Sequence, residues 1–350
     1  MVVGVDVHKH NHFAQAVDVV GRALTGRGVA ATDAGNAELV AWARQEFADV
    51  EVLFAVEDCR RMATRLERAL LAAGYRVVRV PPKLMAGARA GSRTRGKSDP
   101  IDALAIARVA LREPDLPVAA HDDASREVKL LVDHRDSLVH ARTAAQNRLR
   151  WHLHELDPEL AMPTRGLDGL RVMDWLAEWL EEQPAGMVVR LAAELVADIR
   201  VLSVRIKQLD KELAERVAVS APQLLELTGC GVLTAAKLVA ETANASRFRS
   251  EACFAMHAGV APIPASSGRT ERHRLARGGN RQLNVALHRI ALTQARLPGP
   301  GQVYYQRRRA EGNTSKEALR ALKRRLARVV FNLLKSPPAQ ASGPALPAAA

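Results

Sequence analysis

The residues of this sequence best placed to do chemistry are two aspartates, Asp99 and Asp102, in the segment KSDPIDA at 97–103. The pair Asp99-Pro100 is typical of a helix start, with Asp99 at the N-cap and Pro100 at the first helical position. The two carboxylates then lie one turn apart on one face of the helix. Such a pair can bind a hard cation such as Mg²⁺. The alternative is a plain helix start, in which Asp99 caps the helix and Asp102 interacts favourably with its dipole.

Two further acids follow predicted strands nearer the N-terminus. Asp6 lies at the end of an apolar run at 2–7, and Glu57 directly follows a second apolar run at 50–56. Because binding sites in open α/β sheets gather at the carboxyl ends of strands, we expect these two acids to lie close together. One acid at a strand end is ordinary in a turn, but four acids in this order favour a common site.

The elements that must position these acids alternate along the first part of the chain. Periodicity and turn residues predict strands at 2–7, 13–20, 22–31, 50–56 and 75–80, and helices at 36–47, 62–73 and from 99 onwards. A meander of three strands followed by alternating helices and strands predicts an α/β domain of the RNase H or RuvC type. In that fold, converging acids bind two Mg²⁺ ions about 3.5–4 Å apart for in-line phosphoryl transfer.

A basic stretch connects the last of these strands to the acidic helix. Residues 83–97 follow the pair Pro81-Pro82, contain three glycines and no Asp or Glu, and are therefore predicted to form a flexible loop. We favour contact with a nucleic-acid backbone over a loop that is merely solvated. The basic residues of the stretch are Lys83, Arg89, Arg93, Arg95 and Lys97.

The positive charge of the chain is concentrated in its C-terminal half. The net charge is +13 at pH 7, and residues 265–330 alone hold 16 Lys or Arg residues against 3 Asp or Glu. Charge concentrated in this way is typical of a protein that binds a polyanion, because each neutralised phosphate releases counterions. A solvated basic surface is the alternative. Nucleic acid is the partner that we expect.

Composition and length exclude a membrane protein and a disulfide-stabilised one. The chain has 350 residues, 48% of them apolar, which suffices for two or three domains with cores. It has no apolar run of 18 residues, so no membrane span is expected. Cys59, Cys230 and Cys253 have neither disulfide nor metal-ligand spacing. The strand-like start at Val2 leaves no room for a signal peptide, so we expect a cytoplasmic protein.

The central part of the chain is predicted to be helical. Two long helical patterns occupy 125–219, and the second is close to a heptad repeat with charged residues between its apolar positions, as in a coiled coil. Trp175 and Trp179 lie between the two patterns and are expected in a core. The predicted organisation is an α/β metal domain at 1–115, an all-α coiled-coil linker or oligomerisation segment at 120–219, a mainly α C-terminal domain at 220–335 and a disordered tail at 336–350.

Two motifs of the C-terminal part suit phosphate binding. At 224–238, a helix, the turn Gly229-Cys230-Gly231 and a second helix predict a helix-hairpin-helix, whose glycines allow close approach and whose second helix offers N–H groups to a phosphate. An ordinary turn between two helices is the alternative. The second motif is a glycine- and proline-bounded loop whose polar residues are Ser266, Ser267, Arg269, Arg272, Arg274, Arg277, Asn280 and Arg281.

We interpret this loop as a phosphate-binding loop, and one of its serines is a candidate nucleophile. A serine hydroxyl attacks a phosphodiester only if its deprotonation is assisted and the developing charge is stabilised, which arginines and Mg²⁺ can do. Tyr304 and Tyr305 are competing candidates, of the kind that tyrosine recombinases use. They precede a basic run and a final amphipathic helix at 316–335, where we expect backbone contacts from Arg307, Arg308, Lys323 and Arg324.

Taken in order, these motifs resemble one known family. The motifs that carry the resemblance are DVHK at 6–9, VE at 56–57, KSDPIDA at 97–103, the hairpin at 227–241 and the loop from SSG at 266–268 to RGGNR at 277–281. They are similar to the DEDD transposases of the insertion-sequence one-ten type, to which Piv-type DNA invertases are related. One departure is RGGN, where the family has Lys or Arg, any residue, Gly and Asn.

The resemblance implies a mechanism and a set of partners. The family's acids bind Mg²⁺, and its essential serine, which precedes a glycine, attacks the DNA backbone and forms a covalent phosphoserine intermediate. The matching residues are Asp6, Glu57, Asp99, Asp102 and Ser267, with Ser266 as the alternate nucleophile. The family also uses composite active sites, with acids and serine from different subunits of a homodimer or homotetramer. A structured bridge RNA pairs with double-stranded donor and target DNA, in a bacterial, nucleoid-associated setting.

Two other functions stay open from the sequence. A RuvC-like nuclease would use metal-bound water as the nucleophile, and its serine loop would only bind phosphate. A non-catalytic protein of a mobile element would bind RNA or DNA without cutting it. The loss of one of the four acids would favour that second function, and all four are present.

Overall fold

The computed structural model describes residues 1–57, 62–90, 98–113, 115–161, 166–265, 273–274, 276 and 278–336, without the side chains of Lys83, Arg89 and Ala90. The described residues belong to two compact units. The first combines Met1–Asp122 with Ala243–Asn284 and Ala327–Lys335, and the second combines Asp123–Thr242 with Val285–Leu326. No helix of the described chain is long and apolar enough to span a membrane.

The helices are numbered in chain order. They are α1 (Asp33–Glu46), α2 (Thr64–Ala72), α3 (Pro82–Ala90), α4 (Asp99–Arg112), α5 (Asp123–Leu156), α6 (Leu170–Glu181), α7 (Met187–Ser220), α8 (Pro222–Leu225), α9 (Val232–Thr242), α10 (Glu251–His257), α11 (Arg281–Arg296), α12 (Pro300–Ala310) and α13 (Ser315–Lys335). A two-stranded ribbon, β6 (Ile263–Pro264) and β7 (His273–Arg274), lies between α10 and α11 in the chain.

A five-stranded mixed sheet forms the centre of the first unit. Its middle strand, β1 (Val2–Val7), is antiparallel to β2 (Asn11–Val17) and parallel to β4 (Leu53–Glu57). β3 (Ala23–Ala30) pairs with β2 and β5 (Arg76–Val80) pairs with β4. The strand order β3-β2-β1-β4-β5 is that of the RNase H and RuvC fold. The predicted mixed α/β domain is therefore confirmed, with the ends of most elements shifted by a few residues.

Alternation along β1 assigns its side chains to two different cores. Val3 and Val5 pack with residues of α1 and α2 in one hydrophobic cluster. Val2 packs in a second cluster, with residues of α3 and α4. Because neighbouring side chains of a strand point to opposite faces, Gly4 and Asp6 share the face of Val2. Asp6 therefore points to the side of the sheet that α4 covers.

Helix α4 approaches β1 most closely at Gly4. A Cβ atom at this position would lie 2.2 Å from the carbonyl oxygen of Ala103 and 2.4 Å from the backbone nitrogen of Ala107. Both are backbone atoms, which cannot move aside unless the helix moves. The missing side chain at Gly4 therefore sets how near α4 comes to the strand that carries Asp6.

Two local predictions around the acidic helix are wrong. The stretch after Pro81 begins as α3 and not as a loop, because a proline such as Pro82 is tolerated in the first turn of a helix, where its missing N–H is not needed. Met85 of this helix is fully buried in the core. The N-cap of α4 is Ser98, so Asp99 is already inside the first turn. Residues 91–97 of the predicted loop lie outside the described residues.

The second unit is helical. Helices α5 and α7, each 34 residues long, pack along each other, and α6 joins them in a hydrophobic cluster that includes Leu149, Met173 and Ile199. Trp179 packs against this cluster, as predicted. Trp175 is 40% exposed, so its predicted place in a core is wrong.

A buried ion pair joins α2 to β5 in the first unit. Glu67 is 2% exposed, and Arg79 donates to both of its carboxylate oxygens, from Nε to Oε1 over 2.8 Å and from Nη2 to Oε2 over 2.6 Å. His121 Nε2 lies 2.9 Å from Glu67 Oε2. Burial by itself would raise the pKa of Glu67, but Arg79 and His121 outweigh it and lower the pKa to about 2.

We expect Glu67→Gln to lower the free energy of unfolding at pH 7 by about 3 kcal/mol, since it leaves Arg79 without its charge partner. The pKa of the carboxyl is lower in the folded state than its ordinary 4.5, so its contribution is present above pH 4.5 and lost as the pH falls towards about 2. Urea unfolding at pH 7 and at lower pH measures this, and the difference from wild type should shrink on acidification. Glu38→Gln, at an exposed pair with Arg27, is the control and should cost less than about 1 kcal/mol. An equal loss at both pH values would contradict the assignment.

Gly4→Ala should destabilise the first unit by roughly 1–3 kcal/mol or more, because its Cβ would overlap backbone atoms of α4. Gly87→Ala in α3 is the matched control. A Cβ there would meet nothing within 4 Å, and alanine favours a helix, so the variant should be neutral or more stable by up to about 1 kcal/mol. Urea unfolding of both variants tests the contact, and wild-type stability of Gly4→Ala would refute it.

Candidate active site

Strands β1 and β4 carry two of the predicted acids to neighbouring positions. The strands are parallel, and their last paired residues are Val5 and Val56, so Asp6 and Glu57 follow them at the same level of the sheet. Asp6 is buried, at 6% exposure, and Glu57 is partly exposed as the last residue of β4. The backbone therefore places these two acids side by side.

Helix α4 brings the other two acids to the face on which Asp6 points. Asp102 is 5% exposed, whereas the side chain of Asp99 is 40% exposed. The charges of both residues act on Asp6 and raise its pKa. Asp99 and Asp102 therefore lie within electrostatic range of Asp6, although β1 and α4 are far apart in the chain.

The electrostatics of Asp6 reflect this crowding. Burial is the largest cause and raises the pKa of Asp6, while His8 lowers it through its charge and a hydrogen bond. The neighbouring carboxylates of Asp102 and Asp99 raise it further. Like charges that gather in a partly buried place disfavour ionisation, and a bound cation reverses this effect. The site has the electrostatic character of a cation site.

Three residues have the mutual geometry of a metal-ligand set. One ligand atom from each of Asp6, His8 and Asp99 lies within 4.8 Å of the other two. His8 Nε2 is 3.0 Å from Asp6 Oδ2 and 3.5 Å from Asp99 Oδ1. Two carboxylates and an imidazole are suitable donors for a divalent cation, so the residues present fit the metal that the fold implies. Among the described residues, Glu57 and Asp102 are not part of this group, although Asp102 acts on the pKa of Asp6 and Glu57 is level with Asp6 in the sheet.

Two side chains of the cluster are not among the residues predicted from the sequence. His8 contacts both aspartates, and Asn11 Nδ2 donates to Asp99 Oδ2 over 3.3 Å. Side chains alternate between the two faces of a strand, so extending the pattern of β1 by one residue would have placed His8 on the same face as Asp6. Asn11 belongs to β2, and no local pattern connects it with a helix that begins 88 residues later.

The residues predicted to contact nucleic acid are in several different environments. Those outside the described residues are Arg93, Arg95, Lys97, Arg269, Arg272 and Arg277, together with both candidate serines, Ser266 and Ser267. Lys83 and Arg89 belong to α3, and their side chains are not described. Arg274, Arg281 and Arg307 are exposed, and Arg308 and Arg324 are partly exposed.

Lys323 and Asn280 have surroundings that the sequence did not indicate. Lys323 is 7% exposed, and burial lowers the pKa of its ammonium group, which does not suit the predicted contact with a nucleic-acid backbone. The side-chain oxygen of Asn280 accepts hydrogen bonds from the backbone N–H groups of Gln282 and Leu283, over 2.9 and 3.1 Å. Asn280 therefore caps the start of α11.

The predicted helix-hairpin-helix differs from expectation at its first helix. Helix α8 is a single turn that ends at Leu225, and α9 begins at Val232. Gly229 has φ +86°, and a Cβ there would lie 2.8 Å from the Cβ of Thr293, so this glycine is required by the turn and by packing. A Cβ at Gly231 would meet nothing within 4 Å. Only the second glycine leaves open space beside the backbone.

Tyr304 packs against two arginines. Its ring centre lies 5.2 Å from the guanidinium carbon of Arg307 and 5.1 Å from that of Arg325. These distances are typical of cation–π contacts, which hold both guanidinium groups beside the ring. These contacts fix the position of the Tyr304 ring.

Two family models match the chain. A model of DEDD transposases of the IS110 type, described as transposase, matches residues 3–158. A second model, described as transposase of the IS116/IS110/IS902 family, matches residues 221–306. The first range includes the sheet and all four acids, and the second includes the glycine turn and the serine loop.

Curated relatives match nearly the whole length of the chain. The uncharacterized 44.8 kDa protein of insertion element IS116 from Streptomyces clavuligerus is 29% identical over 380 residues, 95% of this chain and 94% of the relative. The uncharacterized 42 kDa protein of insertion element IS900 from Mycobacterium paratuberculosis is 28% identical over 382 residues, 95% of each chain. A shorter match, 37% identical over 116 residues, joins 33% of this chain to 29% of the uncharacterized 43.6 kDa protein of insertion element IS110 from Streptomyces coelicolor.

Among solved structures, similarity is found to RuvC from Thermus thermophilus. One structure, in complex with a Holliday junction substrate, covers 34% of this chain and 98% of its own, at 18% identity and a TM-score of 0.27. The RuvC-like fold of this chain follows from the strand order of its sheet. The two family models, from the same family and in the expected order, show that the chain belongs to the IS110 family of DEDD transposases, which are phosphoryl-transfer enzymes.

Proposed function

We propose that the protein is a site-specific DNA recombinase of a mobile element that is guided by RNA and cuts and rejoins DNA through a covalent phosphoserine. The observation that carries the proposal is the convergence of Asp6, Asp99 and Asp102 beside Glu57 in a transposase chain. The basic segment at 265–330 supports nucleic acid as the substrate.

The metal in this proposal is Mg²⁺, as two ions, held by Asp6, Glu57, Asp99 and Asp102. Bound Mg²⁺ would supply polarisation of the scissile phosphate and neutralise charge on the leaving oxygen. The chain itself supplies the geometry, because β1 and β4 position two acids and α4 positions the other two. Asp6 and Asp102 are buried, which restricts the orientations of their carboxylates.

The nucleophile in this proposal is Ser267, with Ser266 as the alternate. Its Oγ bonds to phosphorus as its proton passes to a base, and the bond from phosphorus to a deoxyribose oxygen breaks, which leaves a hydroxyl after that oxygen takes up a proton. One phosphodiester is replaced by one phosphoserine ester, so no ATP is required. Attack of a deoxyribose hydroxyl on the phosphoserine reverses the step and rejoins DNA.

The partners in this proposal are double-stranded donor and target DNA and a structured bridge RNA. The exposed side chains of Arg274, Arg281 and Arg307 are suitable contacts for their phosphates. We assign oligomerisation to the predicted coiled-coil segment at 120–219, and the open backbone beside Gly231 to phosphate contact in the helix-hairpin-helix. A homodimer or homotetramer would then combine acids and serine from different subunits.

A RuvC-like nuclease that uses metal-bound water is the second candidate. The observation that favours it is that all four acids come from β1, β4 and α4, so holding the metal requires no residue of the serine loop. Membership of a transposase family argues against the non-catalytic alternative. The two catalytic candidates differ in whether DNA becomes covalently attached to the protein.

Ser267→Ala should abolish the covalent protein–DNA adduct, whereas Ser266→Ala should reduce it by less than about tenfold, because only one hydroxyl serves as nucleophile. The measurement uses labelled donor DNA, the purified protein with its copurifying RNA and Mg²⁺, separated on a denaturing gel. An adduct lost only in Ser266→Ala would assign the nucleophile to Ser266. Cleaved DNA without any adduct in the wild type would favour the water-dependent nuclease.

Asp102→Asn should lower the rate of strand exchange by about 10³-fold or more, because metal-assisted charge stabilisation contributes several kcal/mol and each 1.4 kcal/mol is about tenfold in rate. Asparagine keeps the shape of the side chain, and circular dichroism checks the fold. Asp33→Asn, at an exposed acid of α1 that pairs with Arg65, is the control and should change the rate by less than about twofold. Full strand exchange by Asp102→Asn would exclude the assignment of the four acids as the catalytic metal site.

A further inference from the structure

We infer that His8 is a ligand of the divalent cation in the acidic site, which makes the donor set a mixture of nitrogen and oxygen. The inference rests on the proposed function for the cation itself, and it adds a residue beyond the four acids. Its consequence is metal selectivity. A site with an imidazole donor favours transition-metal ions such as Mn²⁺ over Mg²⁺ more strongly than four carboxylates would.

The position of the imidazole is that of a ligand next to two other ligands. In an octahedral site with bonds of about 2.1 Å, neighbouring ligand atoms lie about 3 Å apart. The distances from His8 Nε2 to Asp6 Oδ2 and to Asp99 Oδ1 are 3.0 and 3.5 Å. All three ligand atoms lie within 4.8 Å of one another, so one ion can contact all of them.

The backbone and a neighbouring amide hold this arrangement. His8 follows the end of β1, and its backbone N–H donates to the carbonyl oxygen of Asn11 over 3.1 Å, which closes the turn into β2. The side chain of Asn11 donates to Oδ2 of Asp99, whereas Oδ1 faces His8. Hydrogen bonds to the second oxygen of a ligating carboxylate orient the first towards the metal. The His8 side chain is 43% exposed, so an ion can reach it from solvent.

A different role for His8 makes the opposite prediction. The imidazole, when protonated, could stand between the two carboxylates as a replacement cation that leaves when the metal binds. Removing a replacement cation would strengthen metal binding, because the competitor is gone. Removing a ligand would weaken it. The sign of the change in affinity therefore separates the two roles.

The experiment measures binding of Mn²⁺ alone, and separately of Mg²⁺ alone, to the full-length protein by calorimetry. We expect His8→Ala to weaken Mn²⁺ binding by about tenfold or more and Mg²⁺ binding by less than about threefold. His10→Ala is the matched control, because His10 is an exposed residue of the same turn and outside the ligand group. It should leave both affinities unchanged. Tighter Mn²⁺ binding by His8→Ala, or an unchanged affinity, would overturn the inference.

Pulsed electron paramagnetic resonance of the Mn²⁺-loaded protein gives a readout that does not depend on activity. The wild type and His10→Ala should show nitrogen coupling from a directly bound imidazole, and His8→Ala and His8→Gln should lose it. Absence of nitrogen coupling in the wild type would refute ligation by His8.

The variant Asp6→Asn separates this inference from the proposed function. If Asp6→Asn binds Mn²⁺ with the affinity of the wild type, the assignment of the acids as the metal site is wrong. If Asp6→Asn loses Mn²⁺ binding but the His8 variants bind Mn²⁺ like the wild type, only the role of His8 is overturned.

Discussion

The close approach of α4 to β1 at Gly4 is the contact on which the rest of the site depends. Asp6 lies on the same face of β1 as Gly4, and α4 carries Asp99 and Asp102. Because no side chain separates helix and strand at Gly4, acids that are distant in the sequence come within electrostatic range of one another. The same contact buries the apolar side of α4 against the sheet. Stability of the domain and assembly of the acids therefore have one physical origin.

This assembly gathers like charges at a partly buried site. Asp6 and Asp102 are both buried, and burial is the main cause of the raised pKa of Asp6. His8, which contacts Asp6 and Asp99, and the amide of Asn11, which donates to Asp99, offset part of the repulsion. A fold selected only for stability gains little from such a cluster, whereas an enzyme that handles phosphates with a divalent cation requires one.

Local pattern explains why much of the fold was predictable and where prediction failed. The strands are short and separated by clear turns, and β1, β4 and β5 are mainly apolar, so the strand order and the meander followed by parallel strands can be read from the sequence. Helix α3 was not predictable, because a proline pair is also typical of a loop and only the burial of Met85 decides between the two. Asp99 was predicted as the N-cap and is the first residue of the helix, since Ser98 before it is an equally suitable residue type for the N-cap position.

By itself, the sequence determined the order of the five strands, the positions of two acids at strand ends and of two at the start of a helix, and the concentration of positive charge at 265–330. These are properties of local periodicity and composition. Only the tertiary structure decided that His8 and Asn11 reach Asp99, that Lys323 is buried and that Gly229 packs against Thr293. The physical reason is that such contacts join distant segments brought together by apolar burial, which is non-directional and leaves no local signal for the polar side chains that meet as a result.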